Sequence, residues 1–292
     1  MNKRMHRWYI LSMTVAGFIV VLSIGIYGWD YYGTPLPLRH DHVQHGLLSP
    51  TGFWGHGMGF IGAFLMTFGV LLYSLRKRAR WMAAVGQIKH ILELHIFLCL
   101  LGPALIVFHS AFKFGGIIGV SFWCMVIVVA SGVIGRYLYL QIPKTITGRE
   151  ITPIELEKQI TTLRDRLQKD DGIEEYLLQR LDALSAAFTE TSRLSIIRAF
   201  PAMIIQNLRH DARVRTLLQE FEKNRNPFSS DVHTRLTMKA HLQRQLTNLT
   251  LTQKMFRYWH MFHLPFAVVM FIIMIAHIVT AFLFGYGWIF TS

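Results

Sequence analysis

Two pairs of histidines with the same spacing are the residues of this chain whose arrangement could do chemistry. His95 and His109 lie 14 residues apart in one apolar stretch, and His263 and His277 lie 14 residues apart in another. On an α-helix, 14 residues advance about 21 Å and leave the two rings about 40° apart around the axis. Each stretch therefore presents two imidazoles on nearly one face, at two different depths.

Two such helices lying side by side would form two stacked sites, each containing a pair of imidazoles. If the helices are parallel, His95 and His263 lie at one depth, towards the cytoplasm, and form the inner pair. His109 and His277 lie at the other depth, towards the outside, and form the outer pair. Neutral imidazole nitrogens bind transition metals, and a pair of them can hold a haem iron from both axial sides. The spacing predicts two haem b groups, one at this inner site and one at the outer site, with centres about 20 Å apart.

The elements that position these histidines are five apolar stretches, each long enough to cross about 30 Å of hydrocarbon as a helix of about 20 residues. We place them at 8–28, 52–75, 91–112, 117–140 and 257–288. Only 16% of the 292 residues are charged and 52% are hydrophobic, whereas soluble domains carry about 25% charged residues. This composition excludes a soluble domain, a disordered chain and a nucleic-acid-binding module, although the formal net charge is +13. It predicts an all-α integral membrane bundle of five transmembrane helices in contact with lipid.

Basic residues beside the spans predict the orientation. Three of them lie within 3–7, before the first span, and four lie within 76–80, after the second, whereas the 29–51 loop contains only Arg39. The positive-inside rule then places the N-terminus in the cytoplasm and the C-terminus in the periplasm of a bacterial inner membrane. The third and fifth spans are parallel in this topology, as the pairing by depth requires.

A segment of different composition separates the fourth span from the fifth. Residues 144–257 hold 19 of the 30 Lys and Arg and 14 of the 17 Asp and Glu, and Leu and Ile recur there at helical spacing. This pattern predicts a cytoplasmic insert of three or four helices, with turns at 170–172 and 224–227. No phosphate-binding glycine motif occurs in it.

The chain therefore divides into three parts. Membrane helices one to four occupy 1–143, the cytoplasmic helical insert occupies 144–256, and the fifth membrane helix in 257–292 completes the haem bundle. Within the insert, 196–208 is apolar but too short to span, and Pro201 interrupts it, so we expect an interfacial helix. The insert is also where a redox partner or a second copy of the chain is expected to dock.

Three further residues have a predicted role beside a cofactor, each with an ordinary alternative. Gly102 lies midway between the two histidines of its span, where it suits packing against a porphyrin or, equally, a close approach of two helices. His56 could contact a haem propionate, face a quinol, replace a ligand, or simply lie at the interface. Arg136 could neutralise the propionates of the inner haem or extend to lipid headgroups.

Other histidines compete for these roles. His90 and His260 lie about one turn from the predicted inner ligands and are the main alternatives to them. The loop after the first span contains His40, His42 and His45, which could bind a metal, although nothing in an open loop fixes their geometry.

Paired histidines at this spacing on two membrane helices resemble the dihaem cytochrome b superfamily, which includes ferric-reductase-like transmembrane domains. The sequences at 132–139 and 259–265 are similar to those of bacterial ferric-reductase-like cytochromes. The resemblance covers the membrane spans and not the insert. It implies the membrane cytochrome b subunit of an oxidoreductase, which passes electrons between a quinone pool or cytoplasmic donor and a periplasmic partner. No flavin- or nicotinamide-binding domain is visible, so electrons would arrive from quinol or from a partner protein.

Two other classes of protein remain open at this point. Membrane di-metal hydroxylases also use many histidines, but they group them in tight clusters, and within the spans only His260 and His263 lie that close in sequence. A non-redox membrane scaffold that recruits partners through the insert would make the two equal spacings a coincidence. An optical spectrum separates haem from both alternatives.

Overall fold

The structure, a computed structural model, describes residues 3–84, 86–143, 151–169, 172–186, 196–223 and 228–284. Within these ranges the chain forms helices and connecting turns and no β-strand, which confirms the predicted all-α class. The α-helices are, in order, α1 (Lys3–Tyr27), α2 (Trp29–Gly33), α3 (His45–Leu48), α4 (Phe53–Arg78), α5 (Ile88–His109), α6 (Gly116–Gln141), α7 (Pro153–Lys169), α8 (Glu175–Ala186), α9 (Ile196–Lys223) and α10 (Ser230–Leu283). Two short 3₁₀ helices occupy Leu36–Asp41 and Arg80–Ala84.

Five of these helices, α1, α4, α5, α6 and α10, are long and apolar enough to cross a membrane. Five such helices fit the predicted multi-pass membrane protein. The last span differs from its expected limits of 257–288, because it is the second half of the 54-residue helix α10. No glycine or proline occurs between Ser230 and Leu264, so nothing ends the helix near 257. Pro265 lies inside α10, where it costs one backbone hydrogen bond without ending the helix.

The chain forms two compact units, of which the first comprises Met1–Val133 and Phe262–Ser292. Its most extensive helix pair is α4 with α5. At their crossing a Cβ on Gly102 would lie 2.7 Å from the carbonyl oxygen of Gly62. Such an approach is possible only where side chains are missing, which is how glycines bring membrane helices together.

A buried arginine organises the loop between α1 and α4. Arg39 is only 6% exposed, and its guanidinium donates hydrogen bonds to the carbonyl oxygens of Tyr32 at 2.6 Å, Thr34 at 2.8 Å and Ala111 at 2.5 Å. Ala111 follows α5 and has a φ of 47°, a left-handed conformation. Burial raises the pKa of Tyr32 to about 12, although Arg39 acts in the opposite direction. The guanidinium of Arg39 therefore links this loop to the end of α5.

The second unit, Ile134–Met261, is built from α7, α8, α9, the first part of α10 and the last two turns of α6. In the described part of this unit, four helices follow α6. Its main core is formed by buried leucines: Leu167, Leu177, Leu178, Leu181, Leu218 and Leu236. The second unit begins earlier than the expected residue 144, because the end of α6 packs against the insert. Leu138 is buried against Met203, and Asn207 donates a hydrogen bond of 2.8 Å to the Tyr137 hydroxyl.

Helix α9 corrects the expectation of a short helix over 196–208. The helix runs without a break from Ile196 to Lys223 and contains Pro201. A proline this close to the start of a helix removes one hydrogen bond and leaves the remaining turns intact. Of the predicted turns, 224–227 lies outside the described residues, and only Gly172 of the other is described, with a φ of 63°.

An ion-pair network with one buried member lies beside the core of the second unit. The ammonium of Lys239, whose side chain is 0% exposed, pairs with Asp182. Arg164 reaches the second carboxylate oxygen of Asp182 at 3.0 Å and also pairs with Glu175. The carboxylate of Asp182 is therefore shared by two cations, one of which has no access to water.

Replacing Asp182 by Ala should destabilise the second unit by about 3–5 kcal/mol, because the Lys239 ammonium would stay buried without its carboxylate. Lys239→Met should be nearly neutral, since the buried charge disappears and Arg164 still pairs with Asp182. As a control, Glu220→Ala removes an exposed pair with Arg180 and should cost about 1 kcal/mol or less. Amide hydrogen exchange in α8 of the full-length protein measures the difference, and equal destabilisation by Asp182→Ala and Lys239→Met would contradict it.

Candidate functional site

A cavity of about 310 Å³ lies within the first unit, among α4, α5, α6 and α10. Three imidazoles reach its wall, those of His56, His109 and His277. Most of the remaining lining is apolar and includes four methionines, Met66, Met125, Met270 and Met274. Lys113 contributes a cation to the same wall. Apolar walls with a few convergent polar groups are typical of cofactor sites.

The predicted outer pair meets in this cavity. The ring centroids of His109 and His277 are 6.4 Å apart, and the rings are inclined at 50°. Metal–imidazole bonds are about 2.0–2.1 Å long, so two imidazoles on opposite sides of one ion have ring centroids about 6–6.5 Å apart. The separation therefore suits one metal ion between the two rings. His56 lies 6.3 Å from His109 by the same measure and is a second possible partner.

The packing of α4 on α5 determines which nitrogen of His109 is available. Its Nδ1 donates a hydrogen bond of 2.9 Å to the carbonyl oxygen of Gly55. A carbonyl oxygen only accepts, so this bond places the proton on Nδ1 and leaves the Nε2 lone pair for a ligand. Gly59 makes room for the ring, because a Cβ there would lie 2.8 Å from Nδ1 of His109.

The same arrangement recurs at the other histidine of α5. Nδ1 of His95 donates to the carbonyl oxygen of Gly69 at 3.0 Å, and its ring stacks on Tyr73 with centroids 5.2 Å apart. Gly69 follows Gly55 by 14 residues, the same interval that separates His95 from His109. Two glycine carbonyls of α4 thus orient both histidines of α5 in the same way.

His263 is oriented by a side chain of α6. Nδ1 of His263 lies 2.7 Å from the Ser131 hydroxyl oxygen, and this hydroxyl donates to the carbonyl oxygen of Val128 at 2.9 Å. The Ser131 hydroxyl therefore orients the ring of His263 from the neighbouring helix. The described contacts of His95 are with α4 and with its own helix, so the structure brings the outer pair together and not the inner pair.

The other two predicted site residues are not among those that line the cavity. Gly102 contacts Gly62 and Met66 of α4, so it serves the crossing of two helices. Arg136 belongs to the second unit, where its guanidinium lies 5.8 Å from the ring centroid of Tyr139.

The three loop histidines are neighbours: the ring centroids of His40 and His45 are 5.3 Å apart, and the rings of His42 and His45 both lie beside Tyr31. Nε2 of His42 lies 3.0 Å from a carboxylate oxygen of Asp30, and Nδ1 of His45 lies 3.3 Å from the Tyr31 hydroxyl. The side chain of His40 is 86% exposed. Within the described ranges these imidazoles do not converge on one point, so the loop offers no preformed metal site.

One group of ligand-type side chains was missed by the sequence analysis. His6, His90 and Glu93 come together between α1 and α5. The spacing of His90 and Glu93 was a usable signal, because residues three apart share a helix face. His6 joins them only through the packing of α1 on α5, which no spacing in the sequence reveals.

No protein-family model matches this chain. No curated protein and no solved structure shows significant similarity to it either.

Proposed function

We propose that this protein transfers electrons across a membrane through b-type haem held by paired histidines, as the cytochrome b subunit of an oxidoreductase. It would link a quinone pool or a cytoplasmic donor to a periplasmic redox partner. The observation that carries the proposal is the meeting of His109 and His277 at one apolar cavity, with ring centroids 6.4 Å apart.

The residues around this cavity fit a haem group. His109 and His277 supply two neutral imidazoles at a separation suited to one iron. The methionines are flexible and polarisable side chains that adapt to a large flat ligand. Lys113 supplies a cation for the propionate carboxylates. When bound, the haem iron would supply one-electron transfer by alternating between its ferrous and ferric states.

The chain's own contribution is to orient the ligands and to exclude water. The carbonyl oxygen of Gly55 holds the His109 ring and increases the basicity of its free nitrogen. The apolar walls keep the site at low dielectric, which sets the reduction potential together with the axial ligands. These features support a redox site more directly than a transport or scaffold role.

A second haem, held by His95 and His263, belongs to the same proposal. Nδ1 of each imidazole lies within hydrogen-bond distance of a partner on a neighbouring helix, the carbonyl oxygen of Gly69 or the hydroxyl of Ser131, and these contacts orient both rings. This shared orientation of the rings supports the assignment of His95 and His263 as ligands. His90 remains the main alternative ligand on α5.

Replacement of His109 or His277 by Ala should each remove the same haem, because both rings are needed to hold one iron. His56→Ala should retain it, since His56 is the spare imidazole of the cavity. A pyridine haemochrome assay with reduced-minus-oxidised spectra of purified protein counts and distinguishes the haems. If His56→Ala lost the outer haem and His277→Ala retained it, His56 would be the partner of His109. Absence of haem from the unaltered protein would refute the proposed function.

Gly59→Ala should lower occupancy of the outer haem, because the added methyl group would displace the His109 ring from the Gly55 carbonyl. Gly132→Ala is the matched control, since nothing lies within 4 Å of a Cβ at that glycine of α6. The ratio of haem absorbance to protein absorbance reports occupancy in each variant. Equal occupancy in both variants would show that the close approach at Gly59 does not matter for the site.

Replacement of His95 or His263 by Ala should remove a haem that is spectrally distinct from the one lost at the outer site. The two sites have separate ligand pairs, so the outer haem should survive in both variants. Reduced-minus-oxidised spectra at low temperature resolve the two α bands. If both variants retained two haems, His90 and His260 would be assigned as the inner ligands instead.

A further inference from the structure

A second cluster of metal-ligating side chains lies where α1 and α5 begin. Nε2 of His6 is 3.5 Å from Oε1 of Glu93, and Nδ1 of His90 is 3.3 Å from Oε2 of the same carboxylate. The ring centroids of the two histidines are 5.1 Å apart. One potential ligand atom from each of the three residues lies within 4.8 Å of the others.

The carboxylate of this cluster is unusual for its position. Glu93 is the only acidic residue in α1, α4, α5, α6 and the apolar half of α10, and it is 9% exposed. An acidic side chain in an apolar membrane helix is costly and marks a functional site by default. Lys89 also approaches Oε1, at 3.9 Å, with a side chain that is 54% exposed.

The contacts within the cluster are longer than strong hydrogen bonds. The distances of 3.3 and 3.5 Å from the imidazoles to Glu93 exceed the roughly 2.7–2.9 Å of strong charge-assisted hydrogen bonds. Nδ1 of His6 is buried and has no hydrogen-bond partner within the described part of the chain. Three ligand groups that face one another at these distances leave space for an ion between them.

We propose that His6, His90 and Glu93 bind one divalent transition-metal ion, with zinc as the preferred ion. Two imidazole nitrogens and one carboxylate oxygen are a ligand set that zinc accepts, with water completing its coordination. Bound zinc would offset the charge of Glu93 and connect α1 to α5. The site shares no residue with the two ligand pairs proposed for haem, and a reassignment of the inner haem to His90 would contradict it.

The test is zinc binding by the full-length protein in detergent, after treatment with a chelator, measured by equilibrium dialysis with elemental analysis. The unaltered protein should bind one zinc ion tightly. His6→Ala, His90→Ala and Glu93→Gln should each raise the Kd at least about tenfold, as expected when a metal site loses a supporting group. Haem absorbance, recorded in parallel, should not change, which separates this result from any failure of the haem assignment.

Two matched controls identify the site. Lys89→Gln changes the same turn of α5 but removes only a competing cation, so it should bind zinc at least as tightly as the unaltered protein. His40→Ala removes an exposed histidine of the loop and should leave the Kd unchanged. Equal weakening by Lys89→Gln and Glu93→Gln, or full binding in both histidine variants, would overturn the proposal.

Cobalt provides a second measurement that requires no variant to fold. Co²⁺ added to the unaltered, metal-free protein should give visible d–d bands of a nitrogen- and oxygen-ligated site, and one equivalent of zinc should abolish them. Absence of such bands, or bands that persist after zinc is added, would also overturn the proposal.

Discussion

The close packing of α4 against α5 is the constraint on which the candidate site depends. Gly62 and Gly102 allow the two backbones to approach until a Cβ on either residue would collide with the carbonyl oxygen of the other. At this distance the carbonyl oxygens of Gly55 and Gly69 reach the histidines of α5. The orientation of two proposed ligands is therefore a consequence of missing side chains on the neighbouring helix, and a larger residue at the crossing would change both.

The elements that follow from helical periodicity could be predicted, and those that depend on tertiary packing could not. Spacing alone identifies His109 and His277 as candidates for one site, because the rise and twist of a helix are constant. Spacing cannot reveal that His56 enters the same cavity, because that depends on the rotation of α4 about its own axis. For the same reason, the sequence could not show whether Gly102 packs against a porphyrin or allows a close approach of two helices.

Helix ends were the least predictable part of the fold. A change in composition near 257 suggested a boundary, but α10 continues through it, since no residue there stops a helix. The N-terminal limit of the second unit was missed for a different reason. The last turns of α6 are apolar like the rest of that span, yet Tyr137 and Leu138 pack against residues of the insert. Composition alone does not indicate which neighbour an apolar side chain contacts.

The burial of Arg39 also determines the surface charge of the loop between α1 and α4. Arg39 is the only Lys or Arg among residues 29–51, and its guanidinium is enclosed by backbone carbonyls. The permanent charges left on the surface are the carboxylates of Asp30 and Asp41, whose side chains are 89% and 87% exposed. The loop therefore displays two carboxylates and no exposed Lys or Arg, so this face would attract cationic molecules and repel anionic ones.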